Sequence, residues 1–137
     1  MGDNNLDIVR QGYEAFGRGD INGLLALLDE QVQWVAPGPP ELATSGRRTG
    51  REAVGEFFGK VNEVFDIQRF EPKEFILQGD RAVVLGSETA HVRASGITLE
   101  LDWVHVFTLR GGKVVAFEEF FDTAAVVAAL TSAHKAA

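Results

Sequence analysis

Beyond Asp66 the apolar residues stop recurring at helical spacing and begin to alternate, and they go on alternating as far as Asp122. The alternating stretches run at about 68–78, 80–93, 97–110 and 113–122, separated by Gly79-Asp80, Ser95-Gly96 and Gly111-Gly112. Alternation presents one face of a strand to a core and the other to water, and joins this short connect antiparallel neighbours. The spacing therefore predicts a four-stranded meander, whose apolar face needs a second layer to cover it.

The first half of the chain supplies that layer. Leu6, Val9, Tyr13 and Phe16 recur at helical spacing. Arg18-Gly19-Asp20 ends that helix, and Asp20 can cap a second one carrying Leu24, Leu25, Leu27 and Leu28. The Arg-Gly-Asp triplet is explained better as this helix–helix turn than as an adhesion motif. Val32 to Ala36 reads as a short strand stopped by Pro37-Gly38-Pro39-Pro40, and Glu41 to Thr49 as a polar loop. Thr49-Gly50-Arg51-Glu52 fits a capping box. The helix it opens presents Val54, Phe57, Phe58, Val61, Val64 and Phe65, with Gly55 and Gly59 permitting close packing. Asp122-Thr123 can cap a last short helix through Ala124–Leu130. The order of elements predicts an α+β fold with helices on one face of a sheet, one domain over 1–137 with its ordered core at about 4–131.

Composition narrows the function. A net charge of -7 repels phosphate backbones and anionic lipid, so neither nucleic acid nor a membrane is an expected partner. The absence of Cys removes disulfides, thiolate metal sites and Cys nucleophiles. The polar start Met1-Gly2-Asp3-Asn4-Asn5 precedes no apolar run, which makes a cytoplasmic protein the expectation. His91, His105 and His134 lack metal-ligand spacing, with His134 expected in a frayed tail. No phosphate loop, dinucleotide fingerprint or nucleophile elbow is present, so neither a cofactor nor a metal is expected.

The informative residues are polar ones where apolar ones belong. Along one face of the strand before Gly111-Gly112 stand Leu99, Leu101, Trp103, His105, Phe107 and Leu109, with His105 alone polar. The strand after it gives Val115, Phe117, Glu119 and Phe121, with Glu119 alone charged. A three-residue loop Arg110-Gly111-Gly112 pairs odd positions with odd and brings His105 and Glu119 together; a two-residue Gly-Gly loop separates them. Burying either group uncompensated costs several kcal/mol. The pair is then either structural, or a pocket acid/base pair in which the carboxylate sets the imidazole tautomer and the second ring nitrogen faces a ligand. Glu88 is the only charge among Ala82, Val84, Gly86, Ala90 and Val92. Trp34 and Trp103 are either pocket walls or core, and Tyr13 either offers its hydroxyl to a cavity or belongs to the core by its helical phase.

Tyr13-Glu14-Ala15-Phe16-Gly17-Arg18-Gly19-Asp20, Leu24–Asp29, Trp34, Gly50-Arg51-Glu52-Ala53-Val54 and Gly112-Lys113-Val114 with Phe117–Asp122 together resemble the SnoaL-like branch of the nuclear transport factor 2-like superfamily. The resemblance implies a cone-shaped, curved mixed or antiparallel sheet wrapped around helices, and a homodimer formed through the sheet's other face by Val104, Val106 and Phe120. In ketosteroid isomerases the Asp base falls on Ala36 here, the protonated Asp that donates to the oxyanion falls on His105, and the oxyanion Tyr falls near Gly12 or Tyr13. The Asp-Arg-Asp triad of limonene epoxide hydrolases falls on Ala90, Glu88 and Glu119, two of them changed in kind. SnoaL-like polyketide cyclases place an acid/base residue in the same cavity. The leading expectation is an acid/base isomerase, cyclase or hydrolase acting on a small, largely apolar carbonyl compound. His105 would shuttle the proton, Glu119 orient it and Glu88 assist, within walls of Trp34, Trp103, Phe107, Phe117, Phe121 and Tyr13. The alternatives are a non-catalytic module that binds a hydrophobic small molecule, and a structural dimer whose cavity is filled by side chains.

Overall fold

The computed structural model describes residues 2–132. Helix α1 (Gly2–Gly17) is followed by the short α2 (Ile21–Leu25), whose N-cap Asp20 accepts a hydrogen bond from the Gly23 amide at 2.9 Å. The expected second helix stops three residues before Leu28. Leu27 leaves it because its carbonyl accepts from the Val114 amide at 3.0 Å, and Leu28 opens β1 (Leu28–Ala36). Pairing with a distant strand here overrides local helical spacing.

The predicted loop 41–49 contains a strand, β2 (Gly46–Thr49), paired antiparallel with β1. Its Gly-Arg-Arg-Thr sequence carries no apolar alternation, because an edge strand of this length buries no side chain. The capping box does not form. Gly50, at φ 92°, is the N-cap of α3 (Arg51–Val64) without a side-chain bond, and the Thr49 hydroxyl instead donates to Gln33 across the β1–β2 pair at 3.2 Å. Glu52 remains in the first turn, where the helix dipole favours a carboxylate. Close packing by a glycine holds at Gly55, where an added Cβ would lie 3.4 Å from Leu25; Gly59 faces open space. Phe65, expected on this helix, begins β3 (Phe65–Gln78).

The meander follows as β3, β4 (Arg81–Val92), β5 (Thr98–Arg110) and β6 (Lys113–Phe121), and α4 (Thr123–Thr131) is capped by Asp122, which accepts from the Ala125 amide at 3.0 Å. The six strands form one mixed sheet in the order β2-β1-β6-β5-β4-β3, antiparallel throughout except for β1 beside β6.

The β5–β6 hairpin reaches the expected parity by an unexpected route. Its loop has two residues, Gly111 and Gly112 at φ 59° and 81°, so Arg110 faces Lys113 and Leu109 faces Val114. A bulge then leaves Val115 unpaired, Thr108 faces Ala116, and His105 comes to face Glu119. Val114, buried at 3 % exposure, consequently takes the inward place assigned to Val115. The inner face of β5 buries Leu101, Trp103, His105, Phe107 and Leu109. Gly86, opposite Trp103 on β4, leaves room for the indole to lie across the strand, since a Cβ there would run into its ring and into the Glu71 carbonyl. On the outer face Arg69 spans three strands, donating to Glu71, Ser87, Thr89 and Glu100 at 2.9–3.1 Å.

Candidate functional site

Helices and sheet do not close on one another completely. Between them lies a cavity of about 110 Å³, walled by Tyr13 and Phe16 of α1, Trp34 of β1, Phe57 and Phe58 of α3, and the inner faces of β3 to β6. That volume is several times what one water requires. The wall is almost wholly apolar. Among the described residues its polar groups are Tyr13, Thr44, Glu88, His105 and Glu119, and neither Lys nor Arg reaches it.

Three of these groups form a chain of hydrogen bonds. His105 Nε2 lies 3.1 Å from Glu119 Oε2, and His105 Nδ1 lies 2.7 Å from the Tyr13 hydroxyl. A carboxylate only accepts, so its partner nitrogen carries the hydrogen, and Nδ1 is left to accept from Tyr13 O–H. The second ring nitrogen, expected to face a ligand, is therefore occupied by Tyr13. Aromatic contacts fix the imidazole on one face and at one edge. Trp103 stacks on it at 4.0 Å between centroids and 16° between planes, and Tyr13 lies parallel within 3° at 5.9 Å. Burial pushes the Tyr13 hydroxyl far above the usual phenol range, with the Glu119 charge adding to it, so the phenol keeps its proton.

Glu88 enters the cavity from β4, buried at 8 % exposure and without a hydrogen-bond partner among the described residues. Burial pushes its carboxyl up to about 8 from an ordinary 4.5, and the Glu119 charge acts in the same direction, against a smaller opposing effect of Arg69. Glu88 is thus held mostly as the neutral acid at pH 7.

The expected walls are corrected in one place. Trp34, Phe107, Phe117, Phe121 and Tyr13 line the cavity, whereas Trp103, at 1 % exposure, lies behind His105 and stacks on Phe70 at 4.8 Å. The gap left by Gly86 draws it down onto the sheet. Trp34 stacks on Phe117 at 3.8 Å and buries its indole N–H without a partner among the described residues, as Trp103 does. The wall also includes Thr44 and Phe70, which the sequence did not single out. Thr44 stood in an apparently polar loop, and Phe70 in a strand interrupted by irregularities on either side, between Ile67 and Arg69 and between Pro72 and Glu74. Ala36 and Ala90 carry no group able to move a proton, so the isomerase base and the first triad acid have no counterpart at those positions. Among the described residues no three His, Cys, Asp or Glu side chains gather in a geometry suited to a metal ion; His134 lies outside those residues.

The sequence and this sheet topology have known relatives. The profile of the SnoaL-like domain matches residues 9–117. The chain belongs to the SnoaL-like family. Among similar proteins of known structure, a nuclear transport factor 2-like protein of unknown function from Burkholderia pseudomallei K96243 is 36% identical with a TM-score of 0.87, over 93% of this chain and 98% of that one. TerC, crystallised with polyporic acid, is 34% identical with a TM-score of 0.84, over 94% and 99%. An uncharacterized protein of Mycobacterium tuberculosis H37Rv is 26% identical over 87% of this chain and 89% of its own length. The SnoaL-like chain thus has the nuclear transport factor 2-like, cystatin-like fold. None of its described helices is long and apolar enough to cross a membrane.

Proposed function

We propose that this SnoaL-like chain is a one-domain, cytoplasmic acid/base enzyme that moves a proton on a small, largely apolar carbonyl compound held in the cavity. The observation that carries the reading is the chain Tyr13–His105–Glu119, whose tyrosine end borders a wall otherwise almost without polar groups. The Tyr13 oxygen takes a proton from the substrate while its own proton passes to His105 Nδ1. The resulting imidazolium lies against the Glu119 carboxylate, and reversal of the steps returns the proton to another substrate atom. Tyr13 never becomes a free phenolate, in keeping with a hydroxyl that burial holds protonated. Glu88, a neutral acid near pH 7, is positioned to hold a polar substituent of the substrate. The complex of TerC with polyporic acid adds support, since that protein, 34% identical, accommodates an organic small molecule.

The test is α-proton exchange of a panel of apolar ketones and enones in deuterated water, followed by NMR. Proton transfer by a placed side chain contributes roughly 10²–10⁴-fold, and His105→Ala and Tyr13→Phe should each lose about that much. A substrate exchanged by both variants at the parental rate overturns the assignment.

The saturation of both imidazole nitrogens favours a second reading, in which the relay is structural and the protein binds a hydrophobic molecule without changing it. It predicts ligand binding that survives His105→Gln, with no exchange by any variant. In either reading we propose a homodimer through the outer face of the sheet, where Phe120 and Ile76 are 46% and 45% exposed and Val104 and Val106 are half-buried.

A further inference from the structure

Among the described residues the cavity wall carries two carboxyl groups and no cation. Glu119 has His105 as its partner, but Glu88 has no hydrogen-bonding partner among the described residues, although only 8 % of it is exposed. A buried acid with an open side toward a cavity lacks either a donor or a positive charge. Phe70 faces Glu88 across the β3–β4 pair, and the rings of Tyr13 and Phe121 line the same cavity. Aromatic faces attract cations. The charged and titratable groups around Glu88 are Glu119 on β6, His105 on β5, Tyr13 on α1 and Arg69 on β3, and Arg69 reaches none of the cavity wall. Arg48 lies over the Phe57 ring at 5.1 Å and also stays outside the wall. The net charge of -7 draws cations to the protein as a whole.

We infer that the ligand is a lipophilic amine, bound as its ammonium ion with the nitrogen at the Glu88 carboxylate and its alkyl groups against Phe70 and the neighbouring rings. The inference rests on the cavity being the ligand site, and does not depend on the acid–base step. Combined with that step, it describes an apolar carbonyl compound that carries a basic nitrogen. Binding at pH 7 drives the carboxyl proton of Glu88 into the buffer, because ammonium and neutral acid together are exchanged for ammonium and carboxylate. The raised carboxyl range of Glu88 supports this exchange.

Three probes of similar size decide the matter: N,N-dimethylbenzylamine, its uncharged isostere isobutylbenzene, and the anion phenylacetate. Titration followed by tryptophan fluorescence at pH 7 should show the amine bound at least about tenfold more tightly than isobutylbenzene, and phenylacetate most weakly of the three. Calorimetry in two buffers of different ionisation enthalpy should show close to one proton released per amine. Glu88→Gln should reduce the preference for the amine to less than about threefold and abolish proton release. Isobutylbenzene bound as tightly as the amine overturns the inference while leaving the cavity as a ligand site. Tighter binding of phenylacetate overturns it too, and if none of the three binds, both the inference and the ligand site fall. The comparison within the parent protein stands even if the variant does not fold.

Discussion

An imidazole whose two nitrogens are both taken by side chains of its own protein has none left to hydrogen-bond a ligand, so proton transfer at His105 must pass through Tyr13. The two residues then act as one unit, and their losses should not add. His105→Ala/Tyr13→Phe is expected to be about as slow as either single variant, measured by the same exchange rates; a product of the two losses would mean independent roles. Glu88 gives a separate prediction through stability. Its native carboxyl range, near 8, lies above the ordinary 4.5, so between those limits the folded protein binds the proton that the unfolded chain has lost. Stability must therefore fall as pH rises through that window, with the penalty fully present above about 8. Urea unfolding of Glu88→Gln from pH 5 to 9 should show a flatter dependence and a relative gain of a few kcal/mol at the alkaline end. An unchanged pH slope would show that Glu88 does not titrate as described.

The β5–β6 hairpin shows how an element adjusts register. A two-residue Gly-Gly turn, taken alone, sets odd residues against even ones and would turn Glu119 away from His105. The extra residue Val115 restores the parity within three positions of the turn. Inward facing depends on strand alternation after the bulge, so deletion of Val115 should leave Leu109 opposite Val114 and His105 opposite Glu119 on a regular ladder. The shortened protein is expected to fold and to keep the relay, checked by the His105 ring resonances and their sensitivity to Glu119→Gln. Loss of that coupling would show that the bulge does more than set register.

Across the whole molecule, one face of the sheet looks onto the cavity and the other carries Phe120 and Ile76 in the open. Large exposed apolar groups on a sheet face mark an association surface. Sedimentation of the parent chain should show a dimer, and Phe120→Glu should shift it toward monomer and remove the concentration dependence of the melting temperature. A parent protein that sediments as a monomer at tens of micromolar would end the dimer assignment. The cavity belongs to the same scale, since its wall takes residues from α1, α3 and α4 as well as the sheet.

The sequence by itself determined the four strands of the meander and the inward places of His105 and Glu88, because strand alternation is a local rule and a polar residue in an apolar series breaks it visibly; the two-residue β5–β6 turn and the bulge that sets Glu119 opposite His105 were decided by the structure. The sequence also determined the cap of the last helix, where Asp122 and the Ala125 amide are three residues apart. Only the tertiary structure decided what lay across long separations: the end of α2, where a β6 amide captures a backbone carbonyl, and the seat of Trp103, which depends on the missing side chain of Gly86. It alone decided that the Tyr13 hydroxyl meets His105, 92 residues away, because helical phase shows which way a side chain points but not which group of the sheet it meets.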